Sequence, residues 1–218
     1  MFSRMIKFKD DVNKLARLSF TLLFLLSVTV AAGSFFYRTE IMTWLYPKHI
    51  YETLAIYSSR IQETSWIFGI LMCGFIPIST TYIFGTLLTA NGNLKYLNLM
   101  AAFGMVLNLS LNFVLIPYLK AIGSAYASLT TQVITALVQV MLVVLIFKFK
   151  FNFLYILKLL IFVLVVLTSG YFSYQIFSSG FMDWKISLLV MAAIAVFAGM
   201  ATRLLNIRSF LQLIKKER

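Results

Sequence analysis

Two arginines, a row of hydroxyls and a set of rings are the part of this sequence best suited to chemistry. Projected at about 100° per residue, Ser27, Ala31, Ser34 and Arg38 share one face of a helix. Arg60, Thr64, Phe68, Phe75, Tyr82 and Thr86 share a face of the next, provided that Pro77 leaves the phase unchanged. A guanidinium fork grips phosphate oxygens, rings stack on sugar faces, and hydroxyls exchange hydrogen bonds with sugar hydroxyls. The set therefore suits a phosphate-bearing sugar lipid. The plainer reading is that Arg38 and Arg60 are solvated interface charges beside Glu40 and Glu63.

A second group is neutral and polar. Asn98, Ala101, Met105, Asn108 and Asn112 fall within one arc of a helix, and Ser124, Ser128, Thr131, Gln132, Thr135 and Gln139 within one arc of the helix after it. At bilayer depth such seams must turn away from lipid, since each amide or hydroxyl there gains about 1 kcal/mol from a partner on a neighbouring helix. Two uses are open: glue between the two helices, with Asn98, Asn108, Asn112, Gln132 and Gln139 as packing residues, or the lining of a hydrated path.

Catalytic groups are sparse by comparison. The apolar runs contain no Asp or Glu, the single histidine is His49 between two runs, and the single cysteine is Cys73 within one. A buried proton or cation relay needs a carboxylate or imidazole in the bundle. A hydrolase or transferase needs a nucleophile with a base, a carboxylate pair or a metal cluster. The expectation is therefore no catalytic residue, no metal ligand set and no cofactor, although His49, Glu52 and Glu63 in one loop leave an enzyme as an alternative. Cys73 reads as a small core hydrophobe.

The elements that hold these residues follow from composition. Of 218 residues, 61% are hydrophobic and 12% charged, which excludes a water-soluble fold. Apolar runs of about 20 residues span a bilayer, and six are expected: Leu18 to Tyr37, Trp66 to Thr89, Leu94 to Leu115, Ala121 to Phe147, Leu154 to Ser173 and Ile186 to Arg203. In lipid the backbone must satisfy itself within each run, so the fold class is an all-α membrane protein. Residues 1–17 read as a cytoplasmic amphipathic lead, 18–203 as a six-helix transmembrane unit, and 204–218 as a basic cytoplasmic tail. The net charge of +12 is spread between and outside the runs, which argues for topology signals and against nucleic-acid binding. With the N-terminus inside, fourteen Lys and Arg fall on the inner side and five on the outer, placing both termini in the cytoplasm. Trp44, Trp66 and Trp184 then all fall at the outer boundary, where an amphipathic ring is stable. Pro77 removes one backbone bond and predicts a kink. The loop from Arg38 to Ser65 reads as an interfacial segment, helical from about Tyr51.

From Gly85 to Gln132 the chain reads GTLLTANGNLKYLNLMAAFGMVLNLSLNFVLIPYLKAIGSAYASLTTQ. A helix ends in a small-residue turn, Leu87 to Gly92, with Lys95 nearby. An Asn-bearing helix with LNLSLNFVLIP follows from Leu107 to Pro117, and then AIGSAYASL from Ala121 to Leu129. In this order the pieces resemble the C-terminal half of bacterial lipid-linked polysaccharide flippases, the O-antigen and capsule exporters of the multidrug/oligosaccharidyl-lipid/polysaccharide superfamily. FSRMIKFKDDVNKLARL from Phe2 to Leu18 is similar to that family's approach to its seventh helix, and WLYPKHIYETLAI from Trp44 to Ile56 to the outer loop after it.

The resemblance implies one six-helix lobe of a two-lobe transporter in the bacterial inner membrane. Its substrate would be an undecaprenyl-diphosphate-linked oligosaccharide, presented alternately to the two faces across a cleft bordered by the first two helices of the lobe. Arg38, Arg60, Thr64, Tyr82, Thr86, Ser27 and Ser34 are then the cleft candidates, and the two polar seams pack inside the lobe. It also implies a missing N-terminal lobe, with Met1 an internal methionine of a longer reading frame; a half-size subunit that pairs with a partner lobe is the competing account. Lipid and the lipid-linked sugar are the expected partners. A drug or toxin extruder of the same superfamily, a membrane-embedded enzyme of envelope sugar assembly and a noncatalytic assembly subunit are the alternatives.

Overall fold

The computed structural model describes residues 12–148 and 152–204. Most of the lead expected over residues 1–17, and all but Leu204 of the tail expected over 204–218, lie outside the described residues. The described residues form helices and no strand: α1 (Val12–Phe36), α2 (Arg38–Leu45), α3 (Leu54–Cys73), α4 (Phe75–Ala90), α5 (Leu94–Phe147), α6 (Phe153–Ser178) and α7 (Trp184–Ala201). Five helical stretches among them are long and apolar enough to cross a membrane.

Local chemistry sets the helix ends. The Thr53 hydroxyl accepts from the Ile56 N–H, the Asn152 side-chain Oδ1 from the Leu154 N–H at 3.3 Å, and the Asp183 carboxylate from the Lys185 N–H at 2.9 Å. These side chains cap α3, α6 and α7. Gly92 and Gly180 close the turns after α4 and α6 with φ of +80° and +77°, a region open to glycine and strained for a residue with a Cβ. The segment expected as an interfacial loop over Arg38 to Ser65 is helical already at its start, where α2 occupies Arg38–Leu45, and turns helical again at Leu54, close to the expected Tyr51.

Two prolines divide the longest helices. Pro77 has no N–H to give the carbonyl four residues back, at Cys73, and its ring crowds that carbonyl. The helix breaks there, with Gly74 between α3 and α4. The expected kink thus falls one turn ahead of the proline that causes it. In α5 the break lies at Lys120, three residues after Pro117, with φ 52° and ψ −130°. A straight helix of 54 residues would run about 81 Å. Instead the first arm (94–119) and the second (121–147) fold back on each other. Asn108 Nδ2 lies 3.4 Å from Thr131 Oγ1, and a Cβ on Gly104 would stand 3.0 Å from the Thr135 methyl. Both pairs are centred on Lys120, as an antiparallel hairpin requires. Gly123 permits the turn: a Cβ there would meet the Leu115 carbonyl oxygen at 2.6 Å.

α1 is the central post. On one side Leu25, Val28 and Ala32 pack against Phe162 and Val166 of α6 and Met191 and Ala195 of α7. On another, Ala16 packs with Phe84, Leu87 and Leu88 of α4 and Val143 of α5. Small residues along α1 let its neighbours come close, the packing that drives helix association in lipid. Hydroxyl pairs fasten both its ends. Thr21 donates to the Arg17 carbonyl and so accepts from the Tyr155 hydroxyl at 2.7 Å, while the Arg17 guanidinium lies 3.9 Å above the Tyr155 ring. At the other end, Ser173 donates to the Ser187 carbonyl at 2.6 Å and so accepts from the Tyr37 hydroxyl at 2.7 Å. That chain ties α1, α6 and α7 together.

Candidate binding face

The break at Gly74 leaves the phase of α3 and α4 continuous. At about 100° per residue, Arg60, Thr64, Leu71, Phe75, Ile78, Tyr82 and Thr86 lie within an arc of about 80°, and from Leu71 onward each of them is exposed. Packing explains why this arc is open. α1 covers the Ser65 and Gly69 side of α3, the second arm of α5 covers Gly74, and no described element covers the arc between. Tyr82 is 68% exposed, and its hydroxyl has no partner among the described residues. Thr64 and Thr86 donate to the carbonyls of Arg60 and Tyr82 in their own helices, leaving their methyl groups and oxygen lone pairs outward. Phe68 sits half-buried at the margin of the arc.

At the top of the stripe an open groove of about 490 Å³ is lined by Ala55, Ile56, Ser59, Arg60, Glu63 and Thr64. Arg60 Nε and Nη2 donate to the two oxygens of Glu52, both at 2.9 Å. This forked pair, and not the Glu63 contact suggested by sequence proximity, holds the guanidinium. Hydrogen bonding from Arg60 is the main cause that lowers the Glu52 pKa below its ordinary value. A phosphate that reaches Arg60 must displace or share with that carboxylate, a competition that Arg60 can enter because its side chain is 37% exposed.

Arg38 belongs to a different surface. Its Nη1 donates to the Phe35 carbonyl at 2.8 Å, and its guanidinium carbon lies 4.0 Å from the Trp66 ring centre. Gly69 makes room for its stem, 3.2 Å from where a Cβ would stand. Trp66 and Gly69 lie about 120° and 180° around α3 from Arg60. The structure therefore does not bring the two arginines onto one wall. Ser27 and Ser34 are also away from it, since both are buried within the bundle. Ser27 donates to the Phe24 carbonyl at 2.9 Å and accepts from Ser79 of α4 at 3.1 Å. As the central helix, α1 turns Ser27 toward α4 and buries Ser34, and the cleft face expected on it is a packed interface.

The polar seams divide as well. Asn108 and Thr131 meet across the α5 hairpin, and Asn112 donates to the carbonyl and the side-chain oxygen of Asn108 at 2.8 and 2.9 Å. Gln132 and Gln139 turn instead toward the α3–α4 pair. A Cβ on Gly74 would stand 2.5 Å from Gln132 Oε1, and one on Gly85 would stand 2.7 Å from Gln139 Nε2. The two glycines are the notches that admit the two amides, and Gln139 is buried while Gln132 is half-buried. Asn98 is exposed on the first arm of α5.

Among the described residues no three His, Cys, Asp or Glu side chains converge on a point that could hold a metal ion. Cys73 is a half-buried free thiol. One cluster escaped the sequence reading, which took Trp44 and Trp184 only as boundary markers. Their ring centres lie 6.4 Å apart, beside Glu40. Their shared placement at one boundary was the available signal, but nothing local reveals which residues 140 positions apart will touch. Comparison of the chain with protein-family models, curated proteins and solved structures found no match in any of the three.

Proposed function

We propose that the chain is one lobe of a two-lobe transporter that carries an undecaprenyl-diphosphate-linked oligosaccharide across the bacterial inner membrane by alternating access. The observation that carries this reading is the stripe on α3 and α4, exposed from Leu71 onward, with half-buried Arg60 at one end and Tyr82 and Thr86 along it. A wholly lipid-facing stripe has no use for a tyrosine hydroxyl without a partner, since an unpaired polar group in hydrocarbon costs free energy. Facing a hydrated cleft, the same row offers a ring to a sugar and hydroxyls to its edges. Divided at Lys120, α5 supplies two crossings, so that the lobe crosses six times with both ends in the cytoplasm. The second lobe closes the cleft opposite the stripe, and rocking of the two lobes opens it to either side. The lobe binds and moves its substrate without covalent chemistry. Arg60 meets the diphosphate by exchanging its Glu52 partner, and Arg38, which braces α2 on α3, serves the fold.

The test is export of surface polysaccharide in a strain lacking its own flippase, complemented with the complete transporter that contains this lobe. Arg60→Ala and Tyr82→Leu are expected to lower export at least about tenfold, the value of one charged or two neutral hydrogen bonds, at unchanged membrane level. Arg38→Ala is expected to lower the level of inserted protein instead. Wild-type export by both stripe variants would remove the stripe from the cleft, and failure of the unmodified protein to restore export despite full insertion would remove the transport reading.

A further inference from the structure

The short helix α2 carries two pairs of side chains at a spacing of four, Thr39 with Thr43 and Glu40 with Trp44, which place four polar or aromatic groups along adjoining rows. Together with Trp184 at the start of α7 they line a recess of about 380 Å³. Trp44 is 63% exposed. Lys185 is not part of the lining. Its ammonium lies 5.5 Å from the Trp44 ring centre and 5.6 Å from that of Trp184, so it braces the indoles by attraction to both and holds them 6.4 Å apart.

The polar groups in the recess are short of partners. Glu40 Oε2 is closed to solvent and accepts no hydrogen bond, so the other carboxylate oxygen, which accepts from no other described residue, is the one that a ligand in the recess can reach. Burial is the main cause that raises the Glu40 pKa above the ordinary carboxylate range; its own backbone N–H and the Arg38 charge pull the other way. Thr64, Thr80, Thr86 and Thr89 satisfy their hydroxyls on carbonyls of their own helices. The exposed Thr39 and Thr43 hydroxyls make no such bond among the described residues. A recess with indole faces on one side and an unmet acceptor with two hydroxyls on the other matches a ligand whose ring has an apolar C–H face and an edge of hydroxyl donors. A lipid phosphate does not match it, since the nearest unmet group is an acceptor. A lone organic cation does not match it either, since Lys185 already occupies the electrostatic role between the rings.

We propose that the recess formed by Thr39, Glu40, Thr43, Trp44 and Trp184 is a carbohydrate subsite that takes one pyranose ring, stacked on Trp44 with a ring hydroxyl donating to Glu40. It lies off the α3–α4 stripe and deepens the transport reading, on which its biological role rests, by giving the sugar end of the substrate a docking point at the end of the lobe opposite the α4–α5 turn.

The experiment is tryptophan fluorescence of the purified full chain in detergent carrying Trp66→Phe, so that only Trp44 and Trp184 report. It is titrated with methyl glucoside, methyl galactoside, methyl mannoside and N-acetylglucosamine to about 100 mM, the range that one ring of this size commands. Saturable quenching by at least one of the four is expected. Trp44→Ala is expected to abolish it, and Glu40→Gln to weaken it about tenfold, the loss of a hydrogen bond to a charged acceptor, with helix content unchanged by circular dichroism. No saturable quenching by any of the four, or quenching that survives Trp44→Ala, overturns the subsite and leaves the pair as an interface anchor. The two readings fail separately. Sugar binding without restored export leaves the subsite standing and removes the transporter, whereas restored export without sugar binding does the reverse.

Discussion

Tyr37 is fully buried, and its hydroxyl reaches Ser173, which in turn reaches the backbone of Ser187. Inside a bundle such a bond contributes about 1 kcal/mol. Tyr37→Phe is expected to lower the stability of the detergent-solubilised protein by about that amount, and adding Ser173→Ala is expected to cost less than it does alone, because the two side chains share one bond. Strictly additive losses would deny the coupling. The Glu52–Arg60 pair makes a pH-dependent contribution of definite sign. Because the folded state lowers the Glu52 pKa, the support it gives to the start of α3 is complete above the ordinary glutamate pKa and is lost as pH falls through the lowered folded value. Amide exchange across residues 52–60, corrected for its intrinsic pH dependence, is expected to lose protection over that acid range, and Glu52→Gln is expected to remove the dependence. A profile unchanged by Glu52→Gln would assign it elsewhere. The sequence displayed both charges but not their pairing: Glu63 lies closer to Arg60 along the chain, yet the turn before α3 swings Glu52 into the fork.

At the scale of elements, the α3–α4 break and the α5 hairpin depend on proline and glycine acting together. Each proline withdraws a backbone bond, and a glycine then accepts the close approach that the bend creates. Gly74→Ala places a methyl 2.5 Å from Gln132 Oε1 and 2.8 Å from the Leu71 carbonyl oxygen. It is expected to cost about 1–3 kcal/mol, as overpacking does, and Gln132→Ala in the same chain is expected to recover part of the loss by vacating the space. Equal melting temperatures for Gly74→Ala and the parent would refute that fit. The prolines and the small-residue notches were visible in the sequence. Their partners were not, because periodicity assigns a residue to a face without saying which helix that face meets. Gln132 and Gln139 shared an arc with Thr131 and Thr135, and a rotation of less than one residue decides whether such a seam faces the preceding arm or α4.

For the molecule as a whole, the hairpin sets the number of crossings. In a chain with Cys73→Ala, cysteines placed at Gly104 and Thr135 are expected to be joined by a short bifunctional maleimide, as facing positions of antiparallel arms. Single cysteines at Asn91 and Lys120 are expected to be labelled from opposite sides of the membrane by an impermeant reagent, since one arm of α5 separates them. Labelling of both from one side would reduce the crossings and undo the proposed count of six. Composition alone determined that the chain is helical and apolar, because a backbone in hydrocarbon must satisfy its own hydrogen bonds, and run length with charge placement gave the spans that these experiments test. Tertiary structure decided which helix becomes the central post and therefore which polar faces are hidden. Ser27 and Ser34 are enclosed because α1 has neighbours on several sides, while Tyr82 and Thr86 stay open because no described helix covers that arc of α4. Burial depends on neighbours supplied from distant parts of the chain, and a helical projection carries no information about those neighbours.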